Sequence, residues 1–161
     1  MEIDTLLIRE VVHALKRQGL MLATAESCTG GWVAQVITSV AGSSEWFERG
    51  FVAYTNLAKR EMLGVSTTIL SRHGAVSEQC ARAMAEGALT HSHAQVALAI
   101  TGIAGPSGGT PEKPVGTVCF AWAAKKRGTI SRKQVFSGDR EAVRKQAVVA
   151  ALQGLLNYLN P

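Results

Sequence analysis

Stretches with a helical period alternate along this chain with single short apolar runs, and this alternation restricts the fold more than any other feature. In Asp4–Gln18, apolar residues recur at the spacing of one helical face, and Gly19 is a typical C-terminal stop. Leu20–Ala25 then has the composition of a short buried strand. Single strands between helices favour an α/β domain whose sheet lies between two helical layers.

The rest of the chain continues this alternation and ends in a hairpin and a long helix. Lys125–Gly128 separates two apolar runs, as a hairpin turn does. The other predicted strands are Gly50–Tyr54, Gln95–Thr101, Gly116–Ala124 and Thr129–Phe136. The other predicted helices run from about Gly31 to Val40, from Thr55 to Leu63, from Thr67 to Arg72, from Ser77 to His91 and from Asp139 to Tyr158, with Thr55, Ser77 and Asp139 as caps. We expect a single domain over residues 1–161, with a mixed sheet in which Gln95–Thr101 is central.

Composition excludes several classes of protein. The chain is 47% hydrophobic and 18% charged, which is typical of a packed core and argues against disorder. No apolar run approaches the roughly 20 residues that span a bilayer, and the N-terminal MEIDTLLIRE lacks the pattern of a signal peptide. Cys28, Cys80 and Cys119 are too scattered for a disulfide scaffold, and no metal-binding motif occurs. We expect a cytoplasmic protein without a dedicated metal site.

The formal net charge of +5 is unevenly distributed. From Lys113 onward, only Asp139 and Glu141 oppose nine basic residues. This surplus favours an anionic partner, either nucleic acid or a phosphorylated small molecule, and a solvated basic face is the alternative. The basic segment Lys125–Lys133 has no interleaved aromatic residues, and no helix-turn-helix or zinc finger occurs, which disfavours nucleic acid.

A long loop follows the predicted central strand. Connections in α/β proteins have about 2–6 residues, whereas Gly102–Pro114 is longer and rich in glycine and proline. Glycines let backbone N–H groups approach an anion closely, and ligands of open α/β sheets bind beyond the carboxyl ends of the strands. The segment matches neither a Walker A loop nor the Rossmann fingerprint. We interpret it as a ligand-binding loop, with a flexible surface turn as the alternative.

Two further segments carry side chains suited to nucleophilic chemistry. In Glu26–Gly31, a strand-to-helix turn, we expect Ser27 at a helix N-terminus, where N–H groups stabilise an oxyanion. A simple cap is the alternative for Ser27, and Cys28 is a rival nucleophile. In Tyr54–Lys59, a desolvated lysine beside the serine could act as its base, with the tyrosine as a relay or a substrate contact.

The chain resembles the CinA carboxy-terminal-domain family in five blocks that cover nearly its whole length. These blocks are AESCTGG (25–31), YTNLAK (54–59), GAVSE (74–78), TGIAGPSGG (101–109) and PVGTV (114–118). The resemblance implies a three-layer α/β/α sandwich with a mixed, mostly parallel sheet. Because no extra N-terminal domain precedes the blocks, we expect the stand-alone form. Stand-alone members hydrolyse nicotinamide mononucleotide to nicotinate mononucleotide and ammonia.

The resemblance also implies roles for individual residues. Ser27 matches the family's catalytic serine, and Tyr54 and Lys59 match its tyrosine and lysine. The residues that we expect to bind the substrate are Cys28, Thr29, Gly30, Gly31, Asn56, Thr101, Gly102, Gly105, Gly108, Gly109 and Arg140. We expect a phosphorylated nucleotide as substrate, no metal or organic cofactor, and a homo-oligomer. The alternatives are a catalytically silent binding or regulatory protein and a basic nucleic-acid-binding module.

Overall fold

The structure is a computed structural model that describes residues 2–161. The α-helices in this range are α1 (Thr5–Gln18), α2 (Trp32–Thr38), α3 (Asn56–Leu63), α4 (Thr67–His73), α5 (Glu78–Thr90) and α6 (Arg140–Leu159), and a short 3-10 helix covers Ser43–Glu45. The strands are β1 (Leu22–Glu26), β2 (Phe47–Val52), β3 (Val96–Gly102), β4 (Thr117–Ala124) and β5 (Arg127–Val135). None of the described helices is long and apolar enough to cross a membrane.

The five strands form one mixed sheet in the order β2-β1-β3-β4-β5. β1 pairs in parallel with β2 and β3, whereas β4 is antiparallel to β3 and β5. Four strands therefore point in one direction, and β3 is central, as the sequence predicted. The carboxyl ends of β1 and β3 are adjacent, so the segments that follow these two strands lie side by side.

Helices cover both faces of the sheet, and the two interfaces differ in the size of their side chains. α1, α2 and α6 pack on the face with the larger residues, which are Leu22, Val96, Leu98, Ile100, Val118, Phe120 and Trp122. Alternate residues of the same strands face α5, with α3 and α4 packed against it, and these residues are Ala23, Ala25, Ala97, Ala99, Cys119, Ala121 and Ala123. The predicted three-layer α/β/α fold is confirmed, and period-two alternation along each strand produces its two interfaces.

The predicted caps at Gly19, Thr55, Ser77 and Asp139 are confirmed. The side chains of Thr55, Ser77 and Asp139 accept hydrogen bonds from first-turn N–H groups of α3, α5 and α6. Gly19 ends α1 in the left-handed conformation, with a φ of 65°. These caps could be predicted because each one satisfies backbone groups at the end of its own helix, N–H groups at the three N-termini and carbonyls at Gly19.

The predicted bounds of the strands differ from the observed ones by up to three residues, and two of these differences have a clear cause. The second strand spans Phe47–Val52 instead of Gly50–Tyr54, because parallel pairing aligns its end with the end of β1. The hairpin turn consists of Lys125 and Lys126 alone, since β5 already begins at Arg127. In both cases the partner strand determines the length of the element.

Candidate active site

A cavity of about 300 Å³ lies at the carboxyl ends of β1 and β3, near the lower end of the range for small-molecule sites. The turn after β1, the loop 103–116 after β3 and the first turn of α3 contribute to its wall. The predicted site residues that line it are Ser27, Cys28, Tyr54, Asn56, Lys59, Thr101, Gly102, Gly105, Gly108 and Arg140. The predicted residues that lie outside this lining are Thr29, Gly30, Gly31 and Gly109.

Ser27, Lys59 and Tyr54 form a compact hydrogen-bonded group in this cavity. Lys59 Nζ lies 2.9 Å from Ser27 Oγ and 2.8 Å from the main-chain oxygen of Tyr54. The Ser27 hydroxyl donates to the same carbonyl at 3.2 Å. The structure thus brings the three predicted residues together, but Tyr54 joins the group through its backbone and not through its phenol.

Lys59 is buried without an acidic partner. The residue is only 2% exposed, and neither ion pair found within residues 2–161 involves it. Burial disfavours the ammonium form, so desolvation lowers the pKa of Lys59, partly opposed by the thiols of Cys80 and Cys28. A lysine with a lowered pKa has a larger neutral fraction and can accept a proton from a nearby hydroxyl.

The prediction that Ser27 lies at a helix N-terminus is wrong. α2 begins at Trp32, and its cap is Gly31, which has a φ of 103°. Ser27 directly follows β1, and its N–H donates to Ile100 O at 3.0 Å. Its carbonyl accepts from Gly30 N–H at 3.0 Å, which closes a β-turn over residues 27–30. This turn separates the serine from the helix whose first turn was expected to act on it.

Glu26 occupies the N-terminus of α2, although the sequence patterns did not identify it as a site residue. The residue is 1% exposed. Its carboxylate accepts from Thr29 Oγ1 at 2.6 Å, from Val33 N–H at 2.9 Å and from Ala34 N–H at 3.1 Å. The positive end of α2 is therefore neutralised by a buried carboxylate. The sequence signal for it is an acidic residue directly after the apolar run Leu22–Ala25.

Two backbone N–H groups beside Ser27 have no acceptor within residues 2–161. The N–H groups of Ser27 and Gly30 are already occupied by Ile100 O and Ser27 O. Those of Cys28 and Thr29 donate to no other residue in the described range, although both residues are buried. Buried N–H groups are rarely left unpaired, and Cys28 lines the cavity whereas Thr29 does not, so the Cys28 N–H is available to an oxygen of a ligand. The resemblance implied that Cys28, Thr29 and Gly30 bind the substrate, but the N–H of Gly30 is occupied because it closes the turn.

Cys28 has the surroundings of a packed thiol. Burial raises the pKa of the Cys28 thiol to about 11, so the reactive thiolate is scarce at neutral pH. Its Sγ lies so close to Gly102 that a Cβ there would approach to 3.1 Å. Both observations count against Cys28 as the rival nucleophile.

Arg140, the first residue of α6, connects the loop 103–116 with Tyr54. Its Nη1 donates to Gly105 O at 2.7 Å, and its Nη2 donates to the Tyr54 hydroxyl at 3.0 Å. Within the described range, Arg140 makes no ion pair with its chain neighbours Asp139 and Glu141. The guanidinium is thus an exposed positive charge in the cavity wall that no carboxylate neutralises.

The connection between α4 and α5 also contributes to the cavity. Ala75 and Val76 line it, and Thr101 Oγ1 donates to Ala75 O at 2.8 Å. Ser77 in the same segment was predicted as a helix cap, and it does cap α5. The lining role of Ala75 and Val76 was missed because neither residue carries a reactive or polar side chain.

Within residues 2–161, no three His, Cys, Asp or Glu side chains are grouped closely enough to hold a metal ion. The titratable side chains that line the cavity are those of Cys28, Tyr54, Lys59 and Arg140. This set favours contacts with an anionic or neutral organic ligand.

Similarity to known proteins extends over nearly the whole chain. The family model described as the CinA C-terminal domain matches residues 4–159. The nicotinamide-nucleotide amidohydrolase PncC of Escherichia coli (strain K12) is 58% identical over 149 residues, which are 92% of this chain and 90% of that protein. The protein of the same name from Pseudomonas putida is 51% identical over 96% of this chain and 95% of its own length. The crystal structure of the competence/damage inducible protein CihA from Agrobacterium tumefaciens has a TM-score of 0.93 at 45% identity and full coverage of both chains. The chain therefore belongs to the CinA C-terminal domain family.

Proposed function

We propose that this chain hydrolyses the carboxamide of nicotinamide mononucleotide, with Ser27 as nucleophile and Lys59 as base. The substrate class follows from the names of relatives that are 58% and 51% identical, both nicotinamide-nucleotide amidohydrolases. The observation that carries the mechanism is the 2.9 Å distance between Ser27 Oγ and the buried Lys59 Nζ. This pair supplies a hydroxyl and a nitrogen base without a histidine or a carboxylate.

In the first half of the reaction, neutral Lys59 accepts the hydroxyl proton while Ser27 Oγ attacks the carboxamide carbon. The positively charged pyridinium ring withdraws electrons and makes this carbon more electrophilic. The resulting oxyanion lies against the N–H group of Cys28, the donor next to Ser27 that lines the cavity and has no acceptor in the described range. Lys59 then gives its proton to the amide nitrogen, the C–N bond breaks, and ammonia leaves an ester on Ser27.

Water completes the reaction through the same groups. Lys59 removes a proton from the water, whose oxygen attacks the ester carbon, and Ser27 Oγ leaves and recovers the proton. The products are nicotinate mononucleotide and the free enzyme. The carbonyl of Tyr54 accepts hydrogen bonds from both Lys59 and Ser27, so it assists by keeping the amine directed at the hydroxyl in both halves.

The phosphate of the substrate lies against the loop 103–116, beside Arg140. Gly105 and Gly108 line the cavity with φ values of 85° and 98°, a conformation that lets successive N–H groups face an anion. Arg140 adds a guanidinium without a carboxylate partner, and Asn56 adds the positive end of α3. The nucleotide thereby gives the basic surplus an anionic partner.

Ammonia release from nicotinamide mononucleotide by wild-type and Ser27→Ala protein tests this proposal. We expect release by the wild type and a loss of more than about 10³-fold in kcat for Ser27→Ala, the order seen when a serine nucleophile is removed. Ser39→Ala is the matched control, because Ser39 is an exposed serine outside the cavity lining. Thermal unfolding should show that all three proteins are folded.

Each other outcome has a definite meaning. Full activity of Ser27→Ala excludes Ser27 as the nucleophile. A folded wild type that releases no ammonia excludes the reaction and favours a binding or regulatory protein, which calorimetric titration with the nucleotide would detect. Affinity for DNA that falls steeply with salt would indicate the basic nucleic-acid-binding alternative.

A further inference from the structure

Arg144 of α6 binds the turn that carries Ser27, although it does not line the cavity. Its Nε donates to Cys28 O at 3.0 Å, and its Nη2 donates to Thr29 O at 3.2 Å. The guanidinium carbon lies 5.5 Å from the ring centroid of Trp32. Within residues 2–161 no carboxylate pairs with Arg144, so its contacts concentrate on two carbonyls of the turn and one aromatic ring.

The contact with the Cys28 carbonyl matters because of the geometry of the turn. The bond from Gly30 N–H to Ser27 O closes the turn over residues 27–30, but it does not hold the central peptide, whose orientation distinguishes turn types. A trans peptide places its C=O and the following N–H on opposite sides. By holding the Cys28 carbonyl, Arg144 therefore fixes the central peptide and, with it, the conformation of Cys28, the turn residue that lines the cavity next to Ser27.

Glu26 also holds this turn, but it accepts a hydrogen bond from it, whereas Arg144 donates to it. The Thr29 hydroxyl donates to the Glu26 carboxylate at 2.6 Å, while the Thr29 carbonyl accepts from Arg144. The N–H groups of Cys28 and Thr29 remain without an acceptor in the described range. Two charged side chains therefore fix the carbonyls and the hydroxyl of the turn and leave the Cys28 N–H, whose residue lines the cavity, available.

We propose that Arg144 is a positioning residue that holds the turn so that the N–H group of Cys28 is directed at the oxyanion formed on attack by Ser27. It acts through the carbonyls of the turn and touches no substrate. This inference rests on the proposed function, because that function places the oxyanion at this N–H group. Arginine suits the task better than lysine, since its planar group donates to two carbonyls at once while it lies near the ring of Trp32.

Steady-state kinetics of Arg144→Ala and Arg144→Lys test the inference, with Lys145→Met as a control that removes a neighbouring charge. Complete loss of one oxyanion donor lowers kcat by about 10²–10³-fold. Inversion of the central peptide would force Thr29 to a positive φ, which a β-branched residue resists. Loss of Arg144 should therefore loosen the peptide without inverting it, and we expect kcat of Arg144→Ala to fall by about 10–100-fold.

The proposed positioning role of Arg144 and a purely structural role predict different results, and the results given next are those of the positioning role. We expect KM to change less than about threefold, the pH profile of kcat/KM to keep its midpoint, and millimolar guanidinium to restore part of the kcat of Arg144→Ala. Arg144→Lys, which retains one donor, should fall between Arg144→Ala and the wild type. A kcat of folded Arg144→Ala within about twofold of the wild type would overturn the inference, and so would a loss confined to KM.

A crystal structure of Arg144→Lys or Arg144→Ala separates this inference from the proposed function. If the peptide between Cys28 and Thr29 keeps its orientation and order in the variant, Arg144 does not position it, whatever the activity. If the wild type releases no ammonia, the proposed reaction fails, and the same structure still decides whether Arg144 controls the orientation of the turn.

Discussion

Glu26 and Lys59 are both buried beside Ser27, but the regions around them differ in how they accommodate a charge. Glu26, on the α2 side, is 1% exposed and accepts three hydrogen bonds, two of them from N–H groups of the helix terminus. Lys59, on the α3 side, is 2% exposed and contacts only neutral oxygens of Ser27 and Tyr54.

Under the proposed function, the difference distinguishes a buried charge that stabilises the fold from one that takes part in the reaction. Donors aimed at a carboxylate compensate the loss of its hydration, and the positive end of α2 adds to this effect. Two neutral acceptors do not compensate an ammonium group to the same degree, so desolvation lowers the pKa of Lys59. Replacing Glu26 should therefore mainly reduce stability, whereas replacing Lys59 should mainly reduce activity.

The largest expected effect is on the activity of Lys59→Met. Without the base, kcat should fall by about 10³-fold or more. At pH 7 the free energy of unfolding should rise, because the variant no longer buries an unpaired amine. Ammonia release and urea unfolding measure the two effects.

Lys59→Arg is the matched control for charge. It keeps the positive charge but has a pKa too high for a base, so it should be as inactive as Lys59→Met. Retained turnover in Lys59→Arg would show that Lys59 is not the base. It would contradict the catalytic role that the comparison with Glu26 assigns to Lys59.

The next effect is on the stability of Glu26 variants. Glu26→Ala leaves the Thr29 hydroxyl and the N–H groups of Val33 and Ala34 without their acceptor, and should lower the free energy of unfolding by about 2–4 kcal/mol. Glu26→Gln keeps one acceptor oxygen and should lose less. Glu45→Gln, which breaks an exposed ion pair with Lys16, should cost at most about 1 kcal/mol. Equal stabilities in urea unfolding would contradict the structural role of Glu26.

The sequence predicted the Lys59 region better than the Glu26 region, and the reason is physical. The strings around Ser27 and Lys59 carry reactive side chains at strand ends, so both residues could be named before the structure was known. That Tyr54 joins them through its carbonyl could not be predicted, because a main-chain contact leaves no trace in residue type. The α/β layers followed from periodicity, whereas strand lengths and the start of α2 depend on partners distant in the chain.

A smaller effect concerns pH. Because the pKa of Lys59 is lowered, kcat/KM should rise with pH and reach half its maximum below the usual lysine value of about 10.4. The unfolded chain then binds a proton that native Lys59 has released, so the contribution of Lys59 to stability also rises with pH between the lowered pKa and about 10.4. Lys59→Met should lack this rise. A midpoint at the ordinary lysine value would mean that burial does not make Lys59 a base.

Cys28→Ala should have the smallest effect on kcat. It tests whether the Cys28 thiol takes part in the reaction or changes the pKa of Lys59. A charged thiolate would raise the pKa of Lys59. Since burial raises the pKa of the Cys28 thiol to about 11, the group is neutral where the enzyme works, and its removal should leave the pH midpoint unchanged. We expect kcat within about threefold of the wild type, because alanine keeps the backbone N–H and only the packing against Gly102 is lost. A large loss of kcat with an unchanged pH midpoint would instead indicate that the Cys28 thiol is the nucleophile. Lys59 would then accept its proton from this thiol and not from the Ser27 hydroxyl.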